Sequence, residues 1–295
     1  VRVSGFTFVR DAVRLRYPIV PALRSLLPLV DELVVNVGVS GDGTVDLVRG
    51  LADPRLVVFE TRWDETQLER GRVLAAQTDL ALARCTGDVC LYLQADEALH
   101  EDDQPALRRA LRRLHEDPGV EGLLFEYVHF YGSFHTVGVS RRWYRREVRA
   151  VRNRAGVRSW RDAQGFRIAA GPGPDAPLRK LRVATSGARV FHYGWVRPPQ
   201  AQALKLAEFE RLYHGDEARR RRLAQGFDYD RGEKVRPFQG SHPAAMREWV
   251  EREDWPFAPH PRRLRRGHLR EDLLDLFEAA TGVRLGEYRN YELVR

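Results

Sequence analysis

The first place in this chain where residue types could do chemistry is an apolar run that ends in carboxylates. Cys90–Leu93 leads directly into Gln94-Ala95-Asp96-Glu97. A carboxylate at the end of a buried strand is a hard oxygen ligand. It suits Mg2+ or Mn2+, which keep coordination positions for substrate phosphate. Acidic side chains at Glu97, Glu101, Asp102 and Asp103 could simply favour the start of the helix that follows, and Glu101 to Asp103 are read that way. Asp96, directly after the strand, is therefore the functional candidate. His192 stands in "VFHYGW", at a strand end flanked by aromatics, where a histidine is either a packed core residue or a ligand. Asp162, in "SWRDAQGF", is a loop carboxylate beside Trp160 and Phe166, open to service as a general base or to an ordinary turn role. The turn "GVSGDGT" (38–44) can approach a phosphate through backbone N–H groups, but it has neither a P-loop lysine nor a dinucleotide fingerprint.

Such side chains need a scaffold, and the first 95 residues alternate regularly. Strands are expected at Val1–Phe8, Asp31–Val37, 55–60 and 87–93. Helices are expected at Ile19–Leu29, at Val45–Leu51 and from a capping-box pair, Thr66 and Glu69, to about Ala83. Apolar runs alternating with helices indicate a parallel sheet covered on both faces. Ligands bind such sheets beyond the carboxyl ends of the strands, which is where Asp96 falls. A helix follows at Gln104–His115. Beyond residue 120, the segments 120–132 and 139–153 read as longer, antiparallel strands. A Gly/Pro-rich turn (169–177) and a strand ending in "ARVFHYGWVRPP" come next, then charged helical sequence that includes a helix at 271–282 closed by Gly282. The expected layout is one α/β domain over 1–200 and a helical, Arg-rich extension over 201–295.

With 43% hydrophobic and 31% charged residues the chain can bury a core, which excludes a disordered polymer. No apolar run reaches the roughly 18 residues of a membrane-spanning helix, and no apolar leader is evident. Cys85 and Cys90 make neither a disulfide framework nor a zinc site, so a reducing, cytoplasmic setting is expected. The net charge of +8 is carried by arginine, since lysine stands only at 180, 205 and 234. Such a balance suits a phosphorylated ligand, an anionic membrane surface or nucleic acid, or reflects codon bias alone. No nucleic-acid recognition motif is present, so nucleic acid is not an expected partner. The Arg-rich extension could instead make peripheral contact with the inner face of a membrane. Arg141, Arg142, Arg145 and Arg146 around Trp143 and Tyr144 either line a cleft or form a solvated, charged strand.

The order of these parts resembles the family 2 glycosyltransferases, with their nucleotide-sugar-binding GT-A fold, over roughly residues 1–200. "DELVVNVGVSGDGTVDLV" resembles that family's second strand, Gly/Ser/Asp turn and helix. "QTDLALARCTGDVCLYLQADE" resembles its third helix and the strand ending in an Asp-x-Asp metal motif. The resemblance implies a Rossmann-like α/β sandwich with a mostly parallel central sheet. It also implies a divalent cofactor, Mn2+ or Mg2+, held by Asp96 and His192. Donor-binding positions would be Phe8, Arg10, Asn36, Val37, Asp42, Gln77, Gln94, Ala95 and Asp96, with Asp162 as the catalytic base. The implied reaction is inverting transfer from a nucleotide-diphosphate sugar to a glycan or lipid-linked acceptor, as in cell-envelope polysaccharide synthesis. The sequence departs from the family pattern in placing Gln94 at the first motif acid, Val37 at the base-facing aspartate, Asp79 at a third-helix asparagine and one acid in "RDAQ" where two are usual. Those departures keep a second reading open, a silent nucleotide- or glycan-binding module on the same fold.

Overall fold

Residue types that alternate in-out along a strand, and recur at three and four along a helix, dictate most of the architecture. The computed structural model describes residues 1–64, 71–173, 176–229, 233–258 and 266–294. In chain order the elements are β1 (Val3–Val9), α1 (Ile19–Leu26), β2 (Glu32–Gly38), α2 (Thr44–Arg49), β3 (Leu56–Thr61), α3 (Arg72–Leu82) and β4 (Val89–Tyr92). There follow β5 (Glu97–Leu99), α4 (Gln104–Glu116), β6 (Gly122–Tyr131), β7 (Thr136–Gly138), β8 (Arg146–Arg152), β9 (Val157–Trp160), β10 (Gly165–Ala169) and β11 (Leu178–Trp195). The last are α5 (Pro199–Gln225), β12 (Val235–Pro237), α6 (Arg247–Glu253), α7 (Arg266–Thr281) and β13 (Tyr291–Leu293). The expected Thr66–Glu69 cap lies outside the described residues.

The main path of the sheet runs β3-β2-β1-β4-β8-β6-β11-β10-β9. Its first four strands are parallel, and β8 then enters antiparallel to both β4 and β6. This is the expected α/β, Rossmann-like sandwich, with a parallel half extended by a mixed half. On β2, Leu33 and Val35 face one core while Val34 faces the other. Ile19, Leu23 and Leu26 of α1 and Leu107, Leu111 and Leu114 of α4 fill the first core; Ala81 and Leu82 of α3 join Phe6, Tyr92 and Phe166 in the second. On α4 the intervening Arg108, Arg109, Arg112 and Arg113 are exposed, so charge and burial follow the helical period.

The expected long strand at 139–153 is shorter. Only Arg146–Arg152 is a strand, and residues 140–145 form a turn. The doublets Arg-Arg, Trp-Tyr, Arg-Arg do not alternate with period two, and burying consecutive aromatics is easier where the backbone bends. Arg141 and Arg145 instead bond Glu278 of α7 (2.8 and 2.5 Å), Arg142 bonds Glu233 (2.9 Å) and Arg146 bonds Glu126 (3.3 Å). Residues beyond 200 return to the sheet: β12 pairs β7 and β13 pairs β11. The long helix α5 is interrupted at Gly215, whose φ of 78° is available to glycine at little cost.

Candidate functional site

Because β1 and β4 are parallel neighbours in register from Val3↔Val89 to Phe6↔Tyr92, their carboxyl ends emerge side by side. A cavity of about 390 Å³ opens there. Phe8 and Arg10 enter from β1, Gln94, Ala95 and Asp96 from β4, Asp162 from the β9–β10 turn, and His192 from β11. The helix α5 supplies a further wall through Gln202, Lys205, Phe209 and Leu212. Among the described residues no group of three or more His, Cys, Asp or Glu side chains is arranged to hold a metal ion.

Strand pairing brings Asp96 to His192. β5 runs antiparallel to β11 with Glu97 opposite His192, and the Tyr193 N–H donates to the Asp96 carbonyl (2.8 Å). On its other side His192 lies opposite His129 of β6, and the two Nδ1 atoms are 3.0 Å apart. His129 Nε2 lies 2.7 Å from the Tyr144 carbonyl, which can only accept, so His129 carries its proton on Nε2. Burial, with the neighbouring His192, lowers the His129 pKa to about 3, so the ring is neutral and its Nδ1 accepts. His192 must then donate from Nδ1. Burial likewise lowers its pKa to about 4, against the pull of Asp96, and leaves Nε2 as a bare lone pair. A Cβ at position 194 would press on that Nε2 and lie 3.1 Å from Asp96 Oδ2, so glycine keeps the space between the two open.

One carboxylate oxygen, one imidazole lone pair and an open space between them fit Mn2+ or Mg2+, with the remaining positions left to ligand oxygens and water. Asp96 itself is 5% exposed and accepts from Lys205 Nζ at 2.8 Å. Burial would raise its pKa, but Lys205, then His192 and Arg197, hold it well below the usual carboxylate range. Burial lowers Lys205 to about 8, with Asp96 opposing that shift.

Asp162 sits in a strained turn. Arg161 and Ala163 on either side have φ of 57° and 63°, the left-handed region that costs a non-glycine residue on the order of 1–3 kcal/mol and is tolerated where the surroundings impose it. The imposing contacts are visible: the Arg161 guanidinium lies 4.6 Å from the Tyr288 ring centroid, and the Gln94 amide donates to the Ala163 carbonyl (3.2 Å). Tyr213 of α5 donates its hydroxyl to Asp162 Oδ2 at 2.7 Å. Gln94, expected at a donor contact, thus also ties the loop that carries Asp96 to the turn that carries Asp162.

The other expected positions divide. Phe8, Arg10, Gln94, Ala95 and Asp96 line the cavity; Asn36, Val37, Asp42 and Gln77 do not. Asn36 and Gln77 are buried and bonded to each other (2.9 Å) and to Thr61. Val37 packs in the core, and Asp42 accepts from Ser40 and Thr44 at the start of α2. Asp79 accepts from the Ser159 N–H, and burial raises its pKa to about 6. Of the arginine-rich stretch only Tyr144 reaches the cavity.

Lys205 and Tyr213 were not singled out from sequence. A signal existed for Lys205: it is one of three lysines in a chain that otherwise uses arginine, set among apolar residues in "QALKLAEF". A false signal is equally instructive. His100 Nε2 lies 3.0 Å from Ser241 Oγ with Asp102 nearby, in outline a nucleophile, base and acid. The Asp102 N–H, however, donates to His100 Nδ1 (3.2 Å), so Nδ1 is the acceptor and the ring's proton is on Nε2, donated to the serine. It is the wrong tautomer for a base.

No family model matches the chain, and no curated protein matches it. Among solved structures it is similar to a mannosyltransferase from Pyrobaculum calidifontis in complex with GDP-Man and Mn2+, with 25% identity, 44% of this chain and 36% of that one covered, and a TM-score of 0.33. It is also similar to glucosyl-3-phosphoglycerate synthase from Mycobacterium tuberculosis in complex with Mn2+, UDP and glucosyl-3-phosphoglycerate, with 19% identity, 44% and 45% covered, and a TM-score of 0.29. Residues 1–349 of TarS from S. aureus give 12% identity, 76% and 70% covered, and a TM-score of 0.36. This chain spans less than half the length of the first two. No described helix is long and apolar enough to cross a membrane.

Proposed function

We propose that the protein is an inverting glycosyltransferase, moving a sugar from a nucleotide-diphosphate donor to an acceptor hydroxyl with a divalent ion. The observation that carries the reading is the meeting, in one cavity beyond the ends of β1 and β4, of Asp96, the His192 Nε2 lone pair and Asp162. Asp96 and His192 would hold Mn2+ or Mg2+, which supplies positive charge for a departing diphosphate. His129 fixes the His192 ring so that its lone pair faces Asp96. Phe8 and Trp63, with ring centroids 5.8 Å apart, offer aromatic surface for the base, and Arg10 lies over Trp63. Asp162 accepts the proton of the acceptor hydroxyl, and a single displacement inverts the anomeric carbon. A glycan or lipid-linked acceptor and a peripheral position at the cytoplasmic face of a membrane suit this chemistry.

A silent binding module is the second reading, favoured by the Tyr213 hydroxyl already seated on Asp162 and the ammonium already seated on Asp96. Calorimetric titration with UDP, GDP, CDP and dTDP, each with Mn2+ and with chelator, tests the site. Binding of one nucleotide only with metal is the expected result, followed by turnover of the matching sugar donor. Tight binding with no turnover of any donor favours the module; no binding at all removes the transferase reading and leaves the module as a glycan binder.

A further inference from the structure

Lys205 Nζ donates to Asp96 Oδ2 (2.8 Å), on one of the two residues proposed to hold a metal ion, and to the Gly194 carbonyl (2.9 Å). It also lies 5.2 Å from the Tyr17 ring centroid. These contacts occupy Oδ2, the Asp96 oxygen that borders the same space at Gly194 as His192 Nε2. We propose, resting on the glycosyl-transfer reading, that Lys205 is an exchangeable counter-ion: it holds Asp96 in the empty protein and moves to the donor's diphosphate when metal and nucleotide arrive together.

The partners left behind decide whether such an exchange is physically open. The Gly194 carbonyl also accepts from Arg197 Nη1 (2.9 Å) and Gln202 Nε2 (3.4 Å), so it stays satisfied when the ammonium leaves. Asp96 Oδ2 has no such reserve: Lys205 is the cation hydrogen-bonded to it, the Arg197 guanidinium being bonded to backbone carbonyls instead, and a buried carboxylate that loses its bonded cation is left poorly compensated. Lys205 can therefore leave only when another cation takes its place. The ammonium in turn needs a new anionic acceptor, because a buried cation is as costly as a buried anion. A metal ion alone supplies the first condition and not the second; a diphosphate alone supplies the second and not the first. Only the pair supplies both. Lysine suits this role better than arginine, being a compact point charge on a flexible stem with three donors, two of them in use here. The consequence is positive coupling between metal and diphosphate, which linkage requires to be equal in both directions.

The test uses the full chain, Mn2+ followed by electron paramagnetic resonance, and inorganic pyrophosphate as a diphosphate probe that needs no base. In the unaltered protein, Mn2+ alone is expected to bind weakly, and Mn2+ and pyrophosphate to tighten one another at least tenfold. Lys205→Met frees Asp96 and is expected to bind Mn2+ alone at least tenfold more tightly, with the gain from pyrophosphate largely lost. Lys205→Arg keeps a cation and is expected to keep Mn2+ binding weak. Should the methionine variant fold poorly, Lys205→Gln carries the same expectation, and a Mn2+-induced rise in melting temperature larger than in the unaltered protein reports it. Unchanged Mn2+ affinity in the methionine and glutamine variants, in a protein whose nucleotide binding needs metal, overturns the exchange and leaves the glycosyltransferase reading standing. Pyrophosphate binding indifferent to Mn2+ also overturns it, since Lys205 would then be a permanent cation. No binding of metal with any nucleoside diphosphate removes both.

Discussion

Asp96 and Glu97 are consecutive and buried, and each is bonded to a basic side chain, yet they occupy different regions and have opposite uses. Glu97 belongs to the interior of the sheet. Its two oxygens take Arg149 Nε and Nη2 (3.0 and 2.8 Å), the Tyr127 hydroxyl (2.8 Å) and the Gln94 N–H (3.0 Å), and both charged side chains are fully buried. Asp96 belongs to the cavity wall and has one ammonium on one oxygen. A saturated, bidentate guanidinium pair fixes geometry and has nothing left to offer a ligand. An acid held by a single flexible ammonium keeps valence for exchange. Glu147, also buried, completes the series: among the described residues it has no ion-pair partner and accepts from the Val148 N–H (2.9 Å).

Breaking the saturated pair should have the largest effect. Arg149→Met leaves Glu97 buried and charged without its cation, at an expected cost of about 3–5 kcal/mol in urea denaturation. A loss below about 1 kcal/mol would place Glu97 in the same class as Asp96 and end the contrast.

The unpaired acid comes next, and its sign is opposite to that of a salt-bridged carboxylate. Burial raises the Glu147 pKa to about 7, from an ordinary 4.5. The unfolded chain releases this proton first, so stability falls as pH rises from about 4.5 to 7 and is flat above, a loss of about 3 kcal/mol. Glu147→Gln should remove that slope. Denaturation at pH 4.5 and at pH 8 would show the variant gaining relative to the unaltered protein only at the higher pH.

Asp96→Asn sharpens the comparison from the cavity side. It should weaken metal-dependent nucleotide binding well over tenfold, about 1.4 kcal/mol or more, while costing less stability than Arg149→Met. Unchanged binding by calorimetry would take Asp96 out of the site.

How far this contrast could be read from sequence depends on which partners are local. The parallel half of the fold follows from apolar runs and helical spacing, and the position of Asp96 follows from the strand before it. Nothing in "QADE" shows that Glu97 would find Arg149, 52 positions away, or that Asp96 would find Lys205, 109 away. Asn36 and Gln77 show the reverse failure: polar residues at the right places for a ligand satisfy each other inside the protein. The role of His192 became specific only through His129, because the tautomer is set by a chain of bonds ending at the Tyr144 carbonyl.

The smallest effect is expected at Asp162, where the partner is a neutral phenol. Tyr213 reaches it from α5 with one hydroxyl bond of 2.7 Å, and burial, then Asp162 itself, push the Tyr213 pKa far above its ordinary value, so the phenol remains a donor at every working pH. A neutral hydrogen bond of this kind is worth about 0.5–1.5 kcal/mol, against the several kcal/mol at stake in a buried ion pair. Tyr213→Phe keeps the ring that packs beside Phe209, with centroids 4.9 Å apart, and removes only the bond. Donor binding should be unchanged, and kcat with the identified donor should move by less than about tenfold, since positioning through one such bond carries no more than that. A much larger loss, with donor binding intact, would mean that the phenol orients the base as firmly as Arg149 holds Glu97. The two ends of the series would then differ in charge but not in function.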